Sequence, residues 1–308
     1  MTPDHSRQPL RGIIPPMATP LASIDSLDVP GLEKLIEHLL AGGVDALFIL
    51  GTTGEGPALS YRLRRELMER VCRQVKTRVP VLVAITDPAY VEALHMAEAA
   101  ARAGAAAVVA APPFYFQLTQ ADLLRWIESL ARESVLPLYL YNQPELTKIH
   151  FSPATVAQAS EMPNVRGLKD SSGDMGYVKQ VLALVAPRPE FSVLVGPEHL
   201  LAETLRCGAQ GGVPGGANLF PALPVRLYQA FLDGRHDEMD ALQARMVAMG
   251  APIWNRGETG SGRLRRLKCA LSVLGLCSGL PAWPDCPSSA EERQHIEDHL
   301  RRHGLGPT

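Results

Sequence analysis

Apolar and polar positions along this chain alternate between two periods. Short, continuously apolar runs rich in Val, Ile, Leu and Ala recur at residues 12–19, 46–50, 79–85, 106–111, 137–141, 165–169, 191–195 and 211–213. After each comes a longer stretch with helical spacing: 31–41, 61–76, 90–103, 120–134, 153–160, 176–185, 200–207 and 222–232. Glycines close several of these, with Gly42 and Gly43 after the first, Gly104 after the third and Gly208 after the seventh. Strands that are apolar throughout suit a parallel sheet covered on its outer face. Eight strand-then-helix units in roughly 230 residues predict an α/β fold, a (β/α)8 TIM barrel rather than a doubly wound sheet.

The pattern changes after the eighth unit. Residues 235–249 read as helix, 250–262 as a glycine- and proline-rich loop, 263–276 as helix again, and 280–287 as a proline-punctuated loop. Ser288 and Glu291 have capping-box spacing ahead of a last polar helix over 288–303. The division expected is a catalytic barrel over 1–234 and a helical extension over 235–308 packed on it. About 70 residues with so few large apolar side chains make a poor independent core.

Composition narrows the function classes. The chain has 308 residues, 46% of them hydrophobic, with 30 Lys plus Arg against 32 Asp plus Glu and a net charge of −2. A nucleic-acid partner is not expected, because phosphate binding needs a concentrated basic face. The local cluster Arg263, Arg265, Arg266 and Lys268 reads as the solvated face of a helix, with a local anion site as the alternative. Five scattered cysteines (Cys72, Cys207, Cys269, Cys277, Cys286) form no CxxC pair, and nine histidines show no HxH or HExxH spacing, so no metal site is expected. With no secretory h-region and no apolar run of membrane-spanning length, the expectation is a cytoplasmic protein with reduced thiols.

Barrel enzymes carry their chemistry at the C-terminal strand ends. After the second strand lies Gly51-Thr52-Thr53-Gly54-Glu55-Gly56, whose glycines and two hydroxyls suit either a carboxylate cradle or a plain tight turn. The sixth strand ends in Leu168-Lys169-Asp170. With six lysines against twenty-four arginines, lysine is not the default cation of this chain. At the barrel mouth, partial desolvation disfavours an ammonium, and a neutral amine attacks carbonyl carbon. Alternatively, Lys169 is a structural lysine paired with Asp170 or another carboxylate. Tyr141, at the neighbouring strand end, is placed to carry protons for imine chemistry, with Thr52 as a hydroxyl partner.

In order and spacing, Gly51-Thr52-Thr53-Gly54-Glu55, Pro113-Phe114-Tyr115, Tyr141-Asn142-x-Pro144, Gly167-Leu168-Lys169-Asp170 and Gly211-Gly212-Val213 resemble the dihydrodipicolinate synthase / N-acetylneuraminate lyase family of pyruvate-dependent class I aldolases. The resemblance spans about residues 10 to 300. It implies a Schiff base on Lys169, a carboxylate held by Thr52 and Thr53, and a proton relay of Thr52, Tyr141 and Tyr115, the last reaching in from a partner subunit. It also implies a Val213 carbonyl near the imine, no metal or organic cofactor, and a homotetramer built as a dimer of dimers. The alternative for Tyr115 is an ordinary packed aromatic of a Phe-Tyr-Phe run.

One departure bears on the substrate. Synthases of this family carry an arginine two residues after the motif proline to hold the second substrate's carboxylate; here that position is Leu146. A leucine cannot hold a carboxylate, whereas neuraminate lyases are aliphatic at this position. Further pocket candidates are Glu198 and His199 after the seventh strand, Ser171 beyond the lysine, and Gly215 in Pro214-Gly215-Gly216. Glu198 also reads as an exposed helix start. The expected function is cleavage or condensation of a 2-oxo, deoxy sugar acid. Alternatives are a dehydratase or deaminase using the same imine, a 4-hydroxy-tetrahydrodipicolinate synthase, and a non-catalytic 2-oxo acid binder.

Overall fold

Eight parallel strands form one curled sheet, each apolar run supplying one of them. The computed structural model describes residues 9–254 and 260–306. The strands are β1 (Gly12–Ile13), β2 (Leu47–Ile49), β3 (Val81–Ala84), β4 (Ala107–Ala110), β5 (Leu138–Asn142), β6 (Val165–Asp170), β7 (Ser192–Val195) and β8 (Gly211–Gly212). Neighbours in sequence pair in parallel from β2 to β8, and β8 pairs with β1. The seam between β1 and β2 closes through three backbone bonds: Asp45 N–H donates to the Ile13 carbonyl (2.9 Å), Phe48 N–H to that of Pro15 (3.0 Å) and Met17 N–H to that of Phe48 (2.8 Å). Every residue of β2, β3 and β4 is buried, so the runs lack alternation because both faces are covered.

The covering helices are α1 (Val29–Ala41), α2 (Tyr61–Val75), α3 (Tyr90–Ala103), α4 (Gln120–Glu133), α5 (Pro153–Ser160), α6 (Met175–Val185), α7 (Leu201–Arg206) and α8 (Ala222–Leu232). Side-chain caps set several starts. Asp28 accepts from Gly31 N–H, which brings α1 forward to Val29; Ser60 caps α2, and Thr119 with Asp122 forms a capping box on α4. Three more helices follow: α9 (His236–Trp254), α10 (Gly260–Val273) and α11 (Ala290–Arg302). Met239, Met246, Ile253, Leu267, Leu271 and Ile296 from these helices join the same buried cluster as the barrel's outer face.

Several expectations need correction. Residues 250–254 and 260–262 are helix rather than loop: α9 continues through Pro252 to Trp254 and α10 begins at Gly260, while residues 255–259 lie outside the described residues. The last helix is capped by Ser289, which accepts from Glu292 N–H at 3.1 Å, one residue beyond the Ser288–Glu291 pair. A hairpin (Leu21–Ser23 with Ser26–Leu27) and a one-turn helix (Pro144–Thr147) were not anticipated.

The basic cluster is not a solvated face either. Arg266 and Lys268 are each 1% exposed, and Arg266 donates to the Ile253 carbonyl. Lys268 forms an ion pair with Glu55 of the Gly51–Gly56 loop and donates to the Leu280 carbonyl at 2.9 Å, while the other Glu55 oxygen accepts from Ala282 N–H at 2.7 Å. Burial lowers the Lys268 ammonium below its ordinary range, and the Glu55 carboxylate works against that. The C-terminal extension is thus bolted to the loop that carries Thr52 and Thr53.

Breaking one half of this pair strands a buried charge. Lys268→Met should cost about 3–5 kcal/mol in chemical denaturation, and Glu55→Gln added to it should restore most of the loss. A single variant within about 1 kcal/mol of the native protein would show that the pair does not anchor the loop.

Candidate active site

Parallel pairing puts Tyr141 of β5 directly beside Lys169 of β6. Both are buried at the barrel mouth, at 5% and 6% exposure. The Lys169 Nζ lies 4.1 Å from the Tyr141 ring centroid and 4.8 Å from that of Phe48, and the two rings meet edge to face. Adjacent strand residues point to opposite faces. Asp170 accordingly turns away, accepting from Asn142 Nδ2 (2.7 Å) and from the Ser172 hydroxyl (2.8 Å). Among the described residues no carboxylate lies within ion-pair distance of Lys169, so its place is not that of a structural ion pair.

The Tyr141 hydroxyl is 3.1 Å from Thr52 Oγ1. Burial alone would raise the phenol, but the Lys169 charge, with hydrogen bonding to Thr52, Ser171 and Lys169, outweighs it and holds the group below its ordinary value. That is the setting a phenol needs to give up and recover a proton.

The Thr52–Thr53 loop is shaped by close backbone packing. A Cβ on Gly56 would fall 1.9 Å from the Leu50 carbonyl oxygen, and one on Gly54 2.9 Å from Leu50 N. Left-handed backbone occurs in this region at Leu50 and Glu55 (φ 61° and 53°). The loop is fixed from both sides, by Thr19 Oγ1 donating to the Gly54 carbonyl (2.7 Å) and by the Glu55–Lys268 pair.

A cavity of about 430 Å³ opens over these groups, within the range of sites that take small ligands. Of the residues singled out from sequence, Thr52, Thr53, Tyr141, Lys169, Ser171, Glu198, His199, Val213 and Gly215 all line it. Tyr115 does not: it is 78% exposed, between Phe114 and Phe116, which are 42% and 73% exposed. Within the single chain Tyr115 does not reach the core; its ring meets that of Phe116 edge to face, at 5.1 Å.

Glu198 is buried rather than an exposed helix start. Its carboxylate accepts from Gly216 N–H (2.7 Å) and from the Trp254 indole (2.6 Å), and its carbonyl accepts from Gln243 (2.9 Å). Burial raises it to about 7, against the lowering effect of those two donors. Trp254 also limits the cavity, since a Cβ on Gly215 would lie 2.9 Å from its ring.

Sequence reading missed Phe48, the ring against Lys169, and Asn218, which ties the mouth of β1 to β8 by accepting from Ala18 N–H and donating to the Pro16 carbonyl. It also missed Trp254, a cavity-lining residue from the extension, whereas Arg263, noticed as part of the basic cluster, lines the cavity too. No local motif marks Phe48, Asn218 or Trp254. Among the described residues, no group of three or more His, Cys, Asp or Glu is arranged to hold a metal, and no helix is long and apolar enough to cross a membrane.

Comparison with known proteins places this geometry. The model of the dihydrodipicolinate synthetase family matches residues 9–303. The chain belongs to that family. The family places it among the lyases and aldolases, and the chain is an enzyme of that kind. Among curated relatives, the probable 2-dehydro-3-deoxy-D-pentonate aldolase YjhH of Escherichia coli is 34% identical over 242 residues, covering 78% of this chain and 80% of YjhH. A solved structure described as dihydrodipicolinate synthase from Bacteroides thetaiotaomicron superposes with a TM-score of 0.92 at 48% identity, covering 96% of this chain and 99% of the other. YagE of Escherichia coli, solved in complex with pyruvate, gives a TM-score of 0.91 at 28% identity, with the same shares covered. The family fold is the (β/α)8 barrel described above.

Glu198 predicts a pH signature. Its carboxyl holds a proton more tightly in the folded protein than in the unfolded chain, so its contribution favours folding at low pH and is lost as pH rises from about 4.5 to about 7. Urea unfolding at about pH 5 and about pH 8 should show the native protein losing on the order of 3 kcal/mol relative to Glu198→Gln across that window. Parallel pH profiles for the two proteins would refute the assignment.

Proposed function

We propose that the enzyme cleaves, or in reverse forms, a 2-oxo-3-deoxy sugar acid through a covalent imine on Lys169. The observation that carries this is the Lys169 amine packed on Tyr141 with no carboxylate partner among the described residues, and with the Thr52 hydroxyl 3.1 Å from the phenol. Thr52 and Thr53 hold the substrate carboxylate, and Lys169 attacks the C2 carbonyl. Tyr141 hands a proton to the carbinolamine hydroxyl, which leaves as water. The iminium draws electrons as the C3–C4 bond breaks, the C4 hydroxyl loses its proton, and an aldehyde departs. The remaining enamine is protonated at C3 and hydrolysed to pyruvate, freeing the lysine. The imine is itself the electrophile, so this route calls for no metal or organic cofactor.

In this reading the exposed Phe114-Tyr115-Phe116 run is covered in a homotetramer, a dimer of dimers, where Tyr115 of the partner subunit completes the relay. Such a contiguous exposed apolar run is what an interface covers. Val213 and Ser171 border the imine, with Glu198 and Gly215 shaping the far wall.

The name carried by the Bacteroides thetaiotaomicron structure favours a second reading, condensation of pyruvate with aspartate semialdehyde. Against it stands Leu146, half-exposed at the mouth, where a carboxylate would find no charge partner. YjhH and YagE, named for deoxy sugar acids, support the first reading.

Pyruvate release from 2-dehydro-3-deoxy-D-pentonate and 2-dehydro-3-deoxy-D-gluconate, followed by a coupled dehydrogenase, tests it. Release is expected; formation of a new oxo acid without pyruvate would establish a dehydratase instead. Efficient condensation of pyruvate with aspartate semialdehyde by the native enzyme would overturn the sugar-acid assignment. Tyr141→Phe should keep the fold while turnover falls by about 10² to 10⁴, and native-like turnover would remove the relay.

A further inference from the structure

The cavity, about 430 Å³, is larger than a three-carbon acid needs, and its lining includes charged and polar side chains besides Lys169, Tyr141 and the two threonines. Among the described residues that line it, Lys169 and Arg263 are the two Lys or Arg side chains. Arg263 projects from α10 into the lining of this cavity. Among the described residues it pairs with Glu145 of the one-turn helix, at 3.9 Å. The Arg263 Nε and the Gln143 side-chain oxygen are both buried and without a hydrogen-bond partner. A loose, exposed ion pair of this kind contributes little to stability, whereas buried unmade hydrogen bonds are costly. Those two atoms are closed to the cavity as well as to solvent; what Arg263 and Glu145 offer a ligand is the rest of their side chains, 39% and 59% exposed.

The chemistry of that pair selects the ligand. A second carboxylate would meet Arg263 but also Glu145 beside it, and like charges repel. Adjacent hydroxyls suit the pair: one accepts from the guanidinium while its neighbour donates to Glu145. Leu146, between Glu145 and Thr147, gives the tail an apolar wall without adding charge.

We infer that Arg263 and Glu145 form a subsite that binds the polyhydroxyl tail of the substrate and sets its length, so that the C-terminal extension supplies a specificity element to the barrel. The inference rests on the sugar-acid reading above, and deepens it.

Two measurements test it together. One is the ratio of kcat/KM for 2-dehydro-3-deoxy-D-gluconate to that for 4-hydroxy-2-oxobutanoate, which has the reacting hydroxyl but no tail. The other is the concentration of 2-dehydro-3-deoxy-D-gluconate needed to compete with pyruvate for borohydride trapping. Arg263→Leu and Glu145→Leu should each lower the ratio at least about tenfold, mainly through KM, and raise the competing concentration; Arg263→Lys should recover part of the ratio. Thermal unfolding of each variant separates these effects from misfolding. Ratios and competing concentrations unchanged in both variants would overturn the subsite while leaving the imine standing. A native preference for 4-hydroxy-2-oxoglutarate that grows in Glu145→Leu would overturn it in favour of a dicarboxylate. If the native enzyme traps no pyruvate, the imine and the subsite fall together.

Discussion

The placement of one amine constrains the rest of this molecule. Lys169 ends a buried strand, packs against the faces of Tyr141 and Phe48, and has no carboxylate partner among the described residues. A lysine buried without a counter-ion costs stability, and the surroundings do not offset that with a carboxylate. Asp170, the nearest acid in sequence, is turned outward and occupied by Asn142 and Ser172. The parallel register sets the phenol of Tyr141 alongside, and the Thr52 hydroxyl reaches it from β2. Each feature follows from short strands covered on both faces, which leave only their C-terminal ends open to solvent.

The helical extension is structurally part of the active site. Glu55, in the Thr52–Thr53 loop, is held by Lys268 and by the Ala282 amide. Glu198, at the end of β7, is held by Trp254, and Gln243 of α9 bonds both its carbonyl and, through its own side-chain oxygen, the Ala202 amide. A barrel cut off at residue 234 would keep its lysine and lose the fixtures of two loops around it. The same extension brings Arg263 to the cavity, so one packing surface both anchors and selects.

What could be read in advance divides along the same line. The barrel was legible because burial of both strand faces removes alternation, and the lysine because a charge ending an apolar run is conspicuous where arginine is the usual cation. The glycines after β2 were legible as a special loop, though their reason, backbone packed against Leu50, needs three dimensions. Long-range partners left no local trace. Arg266 and Lys268 look like a solvated face until the barrel covers them, and Glu198 looks like an ordinary helix start until Trp254 arrives from 56 residues away. The cap at Ser289 rather than Ser288 is a choice between adjacent serines that local spacing cannot make.

Borohydride reduction in the presence of pyruvate, followed by peptide mass mapping, tests the central claim most directly. The account predicts a reduced three-carbon adduct on the peptide containing Lys169 and none in Lys169→Ala, which should remain folded. An unmodified Lys169, or an adduct on another lysine, would contradict it.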